Sequence, residues 1–190
     1  LALLFIVSSL HAVDPAPLYI EGYAGQRSIA QGEEIAIHVS TTAAKYEIEV
    51  ARLGATREVV WKKADVPGAA YPVPEDASAN GCRWPESVRV PSTAAWKSGY
   101  YEVVFRAADA GGKWTHRGKR TAESSAWFIV KQAQPGTTSK ILLQLCTNTY
   151  NAYNNWGGFS VYAYNSLSNN QGHRVSFERP GPSQFARWEL

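Results

Sequence analysis

Glu34-Ile35-Ala36-Ile37-His38-Val39-Ser40 alternates apolar and polar side chains, and Tyr46-Glu47-Ile48-Glu49-Val50 repeats the alternation a few residues later. A period of two places Ile35, Ile37 and Val39 on one face, and Tyr46, Ile48 and Val50 on another, so both segments read as strands with one wet side. Gln31-Gly32-Glu33 and Leu53-Gly54-Ala55 carry turn chemistry at their ends. Tyr100 to Arg106 and Ala126 to Val130 read as later strands of the same kind. The stretch from Pro67 to Pro91 holds five prolines and is expected to be irregular and superficial. About seven short strands between residues 18 and 131 predict an immunoglobulin-like β-sandwich.

The surrounding composition agrees with a packed core. The chain has 190 residues, is 45% hydrophobic and 18% charged, and carries a formal net charge of +3. Such values exclude a disordered polyelectrolyte. Lys113, His116, Arg117, Lys119 and Arg120 cluster around Trp114 near Gly111-Gly112, but a nearly neutral chain lacks the massed cations of a nucleic-acid binder. The cluster reads as a solvated hairpin tip, and no nucleic-acid partner is expected. Trp61, Trp84 and Trp96 read as core or as plugs under the long loop, ahead of sugar-stacking platforms.

Residues 1–17 suggest export. Leu1 to Leu10 is apolar apart from Ser8 and Ser9, and is followed by His11-Ala12 and a Pro-rich segment. It is too short for a bilayer span, which needs about 20 apolar residues, so no stable membrane anchor is expected. It matches the apolar region and cleavage zone of a secretory signal that lacks its basic start. With no methionine anywhere, the chain reads as a fragment of a periplasmic or extracellular protein. Export would permit a bond between Cys82 and Cys146, although their placement in different domains favours two separate buried thiols.

Residues 132–139, Gln-Ala-Gln-Pro-Gly-Thr-Thr-Ser, lack an apolar face and read as a linker. The pattern then changes. Ile141-Leu142-Leu143-Gln144-Leu145 is a continuous apolar run, as in a strand of a parallel sheet covered on both faces. Residues 140–190 therefore read as the truncated start of an α/β domain, whose ligand sites lie beyond the carboxyl ends of strands. Alone, that strand would have nothing to cover its two faces.

Six aromatic residues fall between Tyr150 and Tyr164, and Tyr150, Tyr153, Trp156, Phe159 and Tyr162 recur every third position. Gly157-Gly158 and the asparagines Asn148, Asn151, Asn154 and Asn155 argue against one continuous helix. Either the rings pack an irregular loop or they line a ligand site. Cys146 lacks the glycines of a nucleophile elbow, and His173 reads as a loop residue with at most a supporting role. Histidines and cysteines are too scattered for a zinc site. Pro182-Ser183 with Phe185 and Trp188 resembles a capped helix start.

The segment Asn148 to Ser166, NTYNAYNNWGGFSVYAYNS, together with Gly172-His173-Arg174-Val175-Ser176-Phe177-Glu178-Arg179-Pro180, resembles the catalytic large subunit of N,N-dimethylformamidase and its relatives. The resemblance extends upstream through Ile20-Glu21-Gly22-Tyr23-Ala24, Gly81-Cys82-Arg83-Trp84-Pro85 and Trp96-Lys97-Ser98-Gly99-Tyr100-Tyr101. It implies hydrolysis of the C–N bond of a small amide with the help of iron held by two tyrosines and a glutamate. Tyrosinate is a hard anionic donor suited to ferric iron. On the motif, Tyr153 and Tyr162 are the candidate ligands, with Tyr150 and Tyr164 as competitors. The glutamate would lie beyond Leu190, Glu178 is not its substitute, and the fragment alone would be inactive. The alternative is a non-catalytic sandwich that binds a carbohydrate or a protein.

Overall fold

A computed structural model describes residues 17–109, 120–137 and 140–181. Within them the chain is mainly β. The strands are β1 (Ile20–Ala24), β2 (Ser28–Ala30), β3 (Glu34–Thr41), β4 (Lys45–Leu53), β5 (Arg57–Pro67), β6 (Val88–Pro91), β7 (Gly99–Asp109) and β8 (Arg120–Lys131). They form a three-stranded sheet, β1-β3-β6, and a five-stranded sheet, β2-β8-β7-β4-β5. All pairings are antiparallel except β2 with β8, where Ile29 lies opposite Val130 in a parallel register.

The two alternating segments become β3 and β4, and their apolar faces meet across the sandwich. Ile35, Ile37, Val39, Tyr46, Ile48 and Val50 are all buried in one core with Val90, Val103, Phe105, Phe128 and Val130. Register explains the match: Ile48 faces Phe105 and Val50 faces Val103 across β4 and β7, so apolar side chains stay on one side of the sheet. Trp96, Tyr101 and Phe128 continue this layer as a stack with ring centroids 5.1 and 5.5 Å apart. Trp84 is buried and Trp61 packs partly against the core.

The proline-rich stretch is only in part what its composition suggests. It contains a helical turn, α1 (Ala77–Asn80), and the short strand β6, and it buries Ala77, Cys82 and Trp84. The prolines stop long ladders, but they leave room for apolar side chains to fold inward. The basic cluster from Lys113 to Lys119, the segment before Pro17, and the region of Phe185 and Trp188 lie outside the described residues. Cys82 and Cys146 are not bonded; Cys82 is buried as expected, but Cys146 is exposed.

Ile141 to Leu145 does not form a strand. The segment has no regular secondary structure and no ladder partner among the described residues, and Ile141 and Leu142 are 89% and 90% exposed. Five residues cannot satisfy a sheet's hydrogen bonds alone, and their side chains stay in water until neighbours cover them. Leu145 is the exception, packing against Tyr100, Trp127 and Tyr150.

On the outer face of the five-stranded sheet, Glu49 is 6% exposed and bound by Lys62 Nζ at 2.5 Å and Arg57 Nη2 at 2.6 Å. Lys62 first, and then Arg57, hold the Glu49 carboxyl below its ordinary range against the opposing effect of burial. A depressed folded pKa means that the stabilisation is complete above the unfolded glutamate value, about 4.3, and is lost as pH falls through the folded value. Urea unfolding should therefore show stability declining on acidification below about pH 4.3. Glu49→Gln should flatten that decline and cost about 1–3 kcal/mol at pH 7, where charged hydrogen bonds are lost.

Candidate functional site

After Leu145 the chain enters α2 (Thr147–Tyr153), the one helical part of the aromatic segment longer than a single turn among the described residues. Tyr150 and Asn151 form its buried face. Tyr150 meets Trp127 of β8 edge-on at 6.2 Å, so this tyrosine fastens the helix to the sandwich. The helix ends at Asn154, whose backbone is extended, and Gly157 and Gly158 follow with φ of 79° and 104°. Those angles favour glycine, and they turn the chain back on itself.

The return is fixed by hydrogen bonds. Val161 N donates to Ala152 O at 3.0 Å, Asn165 Nδ2 to Tyr153 O at 2.6 Å, and Asn155 Nδ2 to Asn165 Oδ1 at 2.9 Å. Buried Ser160 accepts at its hydroxyl from Tyr162 N at 3.0 Å. Asn155, one of the asparagines that argue against a long helix, thus joins Asn165 in cross-linking the two arms of the loop. The consequence is that Tyr162 stacks on Tyr153, with ring centroids 4.3 Å apart and planes 25° apart. Tyr164 lies 5.9 Å from Tyr162.

The phenol oxygens converge as well as the rings. A hydrogen bond with Tyr153, and then its charge, raise the pKa of Tyr162; partial desolvation and the Tyr153 oxygen raise that of Tyr164. Tyr153 is half-buried, while Tyr162 and Tyr164 open to solvent. Neighbouring phenols resist ionising together, and a bound cation would reverse that resistance. Of the four candidate tyrosines, the fold gathers Tyr153, Tyr162 and Tyr164 and removes Tyr150 to the sandwich interface. Phenol oxygens are hard donors of the class that ferric iron prefers. Among the described residues, no group of three His, Cys, Asp or Glu side chains offers a rival metal cluster.

The whole loop rests on Arg179, a residue within the quoted motif whose burial nothing in the sequence betrays. It is 2% exposed, and its guanidinium donates to Asn154 O at 2.8 Å, Trp156 O at 2.5 Å, Phe159 O at 3.1 Å and Ser176 O at 3.0 Å. Burial pushes its pKa down to about 10. The loop is also tied to the sandwich: Trp156 Nε1 donates to Glu21 Oε1 at 3.1 Å and meets Trp84 edge-on, while Cys82 N donates to Glu178 O and Ser176 N to Ser78 O. Tyr23 of β1 completes this contact by stacking on His38 at 4.8 Å and lying against Trp84. Burial pushes the Cys82 thiol up to about 12, so it is an inert packing group. His173 is exposed and is not gathered into the tyrosine cluster.

No curated protein matches the chain. Residues 47–190, from β4 through the tyrosine cluster, match the family described as N,N-dimethylformamidase beta subunit-like, C-terminal. That span takes in most of the sandwich as well as the whole aromatic loop, and on it the chain belongs to the N,N-dimethylformamidase beta subunit-like family.

Proposed function

We propose that the chain is part of an exported amide hydrolase in which Tyr153 and Tyr162 hold an iron ion. Membership of a dimethylformamidase-like family supports an amidase-like relationship. The observation that carries the metal reading is the stacking of Tyr153 on Tyr162 at 4.3 Å, with their oxygens in hydrogen-bond reach. When bound, ferric iron would polarise an amide carbonyl and acidify a coordinated water. The chain's own contribution is positional. The Asn155, Asn165 and Ser160 cross-links hold the two phenols in register, and Tyr164 is placed to donate or accept a proton at the phenol oxygen of Tyr153.

A third, carboxylate ligand would come from outside these 190 residues, within an α/β domain that Ile141 to Leu145 begins. The exposure of Ile141, Leu142 and Leu143 supports that part of the reading, because neighbouring strands and helices would cover them. Export rests on the Leu1 to Leu10 run; no helix among the described residues is long and apolar enough to cross a membrane. Of the tryptophans that a binding module could use as platforms, Trp84 and Trp96 are buried and Trp61 is half-buried.

The test is metal removal. In the intact protein, dialysis against a ferric chelator should abolish hydrolysis of a small amide such as dimethylformamide, and ferric or ferrous salt should restore it while zinc does not. Hydrolysis that survives complete iron removal would overturn the proposal.

A further inference from the structure

A second site lies on the other side of α2, in the seam between the sandwich and the loop. A cavity of about 30 Å³ is bounded by Gly22, Arg27, Trp127, Asn151, Phe177 and Arg179, among others. We propose that this cavity, which Arg27 and Arg179 both line, binds a small carboxylate. The site is independent of the tyrosine cluster and needs no metal.

Neither Arg27 nor Arg179 forms an ion pair with a carboxylate among the described residues, although ten such contacts occur elsewhere, all on the sandwich. Arg179 is 2% exposed, and Arg27 is half-buried with its guanidinium over the rings of Trp127 at 5.2 Å and Phe177 at 5.6 Å. Two cationic side chains lining one small cavity carry a desolvation cost that an anion bound beside them would offset. Burial lowers both arginines to about 10; Tyr100 and then Glu178 oppose that shift at Arg27, and Glu178 has an exposed side chain that forms no ion pair with either arginine.

Free donors point to the same ligand. Arg27 uses only Nη2, donating to Phe177 O at 2.6 Å and Ala24 O at 3.2 Å, so Nε and Nη1 have no acceptor among the described residues. Arg179 keeps one Nη2 hydrogen beyond its bond to Asn154 O. Planar guanidinium donors match the oxygens of a carboxylate, and the resulting bonds are charge-assisted. The cavity volume suits a group with two polar oxygens better than a sulfate or a nucleotide phosphate chain. The carboxylate can be a free small acid or an Asp or Glu side chain of the protein outside the described residues.

Titration of the metal-free full chain with sodium formate at constant ionic strength, followed by NMR of ¹⁵N-labelled arginine, distinguishes these sources. The Arg27 Nε–H resonance, assigned by its loss in Arg27→Lys, should move downfield and saturate with formate but not with sodium sulfate. That result assigns a free carboxylate. If formate has no effect, a crystal structure grown without carboxylate buffers decides: an Asp or Glu carboxylate between the two guanidinium groups assigns the protein's own group. Water alone in the cavity, or an equal response to sulfate, overturns the proposal.

Discussion

Arg179→Met should destabilise the packing of the aromatic loop by about 3–5 kcal/mol, the largest loss expected from a single residue outside the sandwich core. The wild-type guanidinium satisfies the carbonyls of Asn154, Trp156, Phe159 and Ser176, which span both arms of the loop. A carbonyl left buried without a donor costs about 1–3 kcal/mol, and water entering the collapsed site would reach only some of the four. Methionine has a similar reach and fills the space, so the loss reports hydrogen bonding more than a cavity. Arg179→Lys should recover little, because an ammonium has three donors at one point and cannot span four acceptors in a plane. Urea unfolding followed by tryptophan fluorescence provides the measurement, since Trp156 packs against Trp84 only while the loop is docked. A variant as stable as wild type would show that the loop is held by its aromatic contacts alone.

The loop is placed by two aromatic anchors and one cation. Tyr150 against Trp127 and Trp156 against Trp84 fix its two ends on the sandwich, and Arg179 fixes its interior. Tyr153, Tyr162 and Tyr164 group apart from these anchors, with Tyr162 and Tyr164 open to solvent. A set of phenols grouped away from the core, on a backbone cross-linked by asparagine amides, is the pattern of a rigid site held by a supporting shell.

Much of the sandwich is legible in the sequence because one face of each long strand is wet. Ile35, Ile37 and Val39 in β3, and Ile48 and Val50 in β4, announce their burial by alternation alone. Where the pattern is short or interrupted, it gives less. β2 is three residues long and takes its place through a parallel pairing with β8, a non-local contact that no window of sequence contains. β5 is an edge strand whose Lys62 and Lys63 mask its period, and β6 is hidden between prolines. Ile141 to Leu145 shows the opposite failing: its composition is that of a buried strand, but a strand needs partners that the described residues do not supply.

At the site, every-third spacing showed that aromatic residues cluster without showing which way each one faces. Tyr150 and Tyr153 occupy adjacent positions on the same helix, and only the location of Trp127 decides that the first is an anchor. Motif resemblance pointed to Tyr153 and Tyr162, the pair that the fold stacks, and the proximity of Tyr164 was open in the sequence. Arg27 and Arg179 carried no signal, because an isolated arginine beside proline or serine reads as a solvated charge. Their burial is a property of the docked loop and could be read only after docking.

Tyr153 and Tyr162 are proposed to hold the metal, while Tyr150 holds the loop. Phenolate ligation to ferric iron produces a visible charge-transfer absorption, which makes each tyrosine separately testable. The measurement is the iron content and visible spectrum of the intact protein as wild type and as Tyr150→Phe, Tyr153→Phe and Tyr162→Phe, with folding checked by circular dichroism. The account predicts that Tyr150→Phe keeps both the iron and the band, while Tyr153→Phe and Tyr162→Phe each lose or shift the band and lower the iron content at unchanged fold. Full iron content and an unaltered spectrum in both Tyr153→Phe and Tyr162→Phe would contradict it.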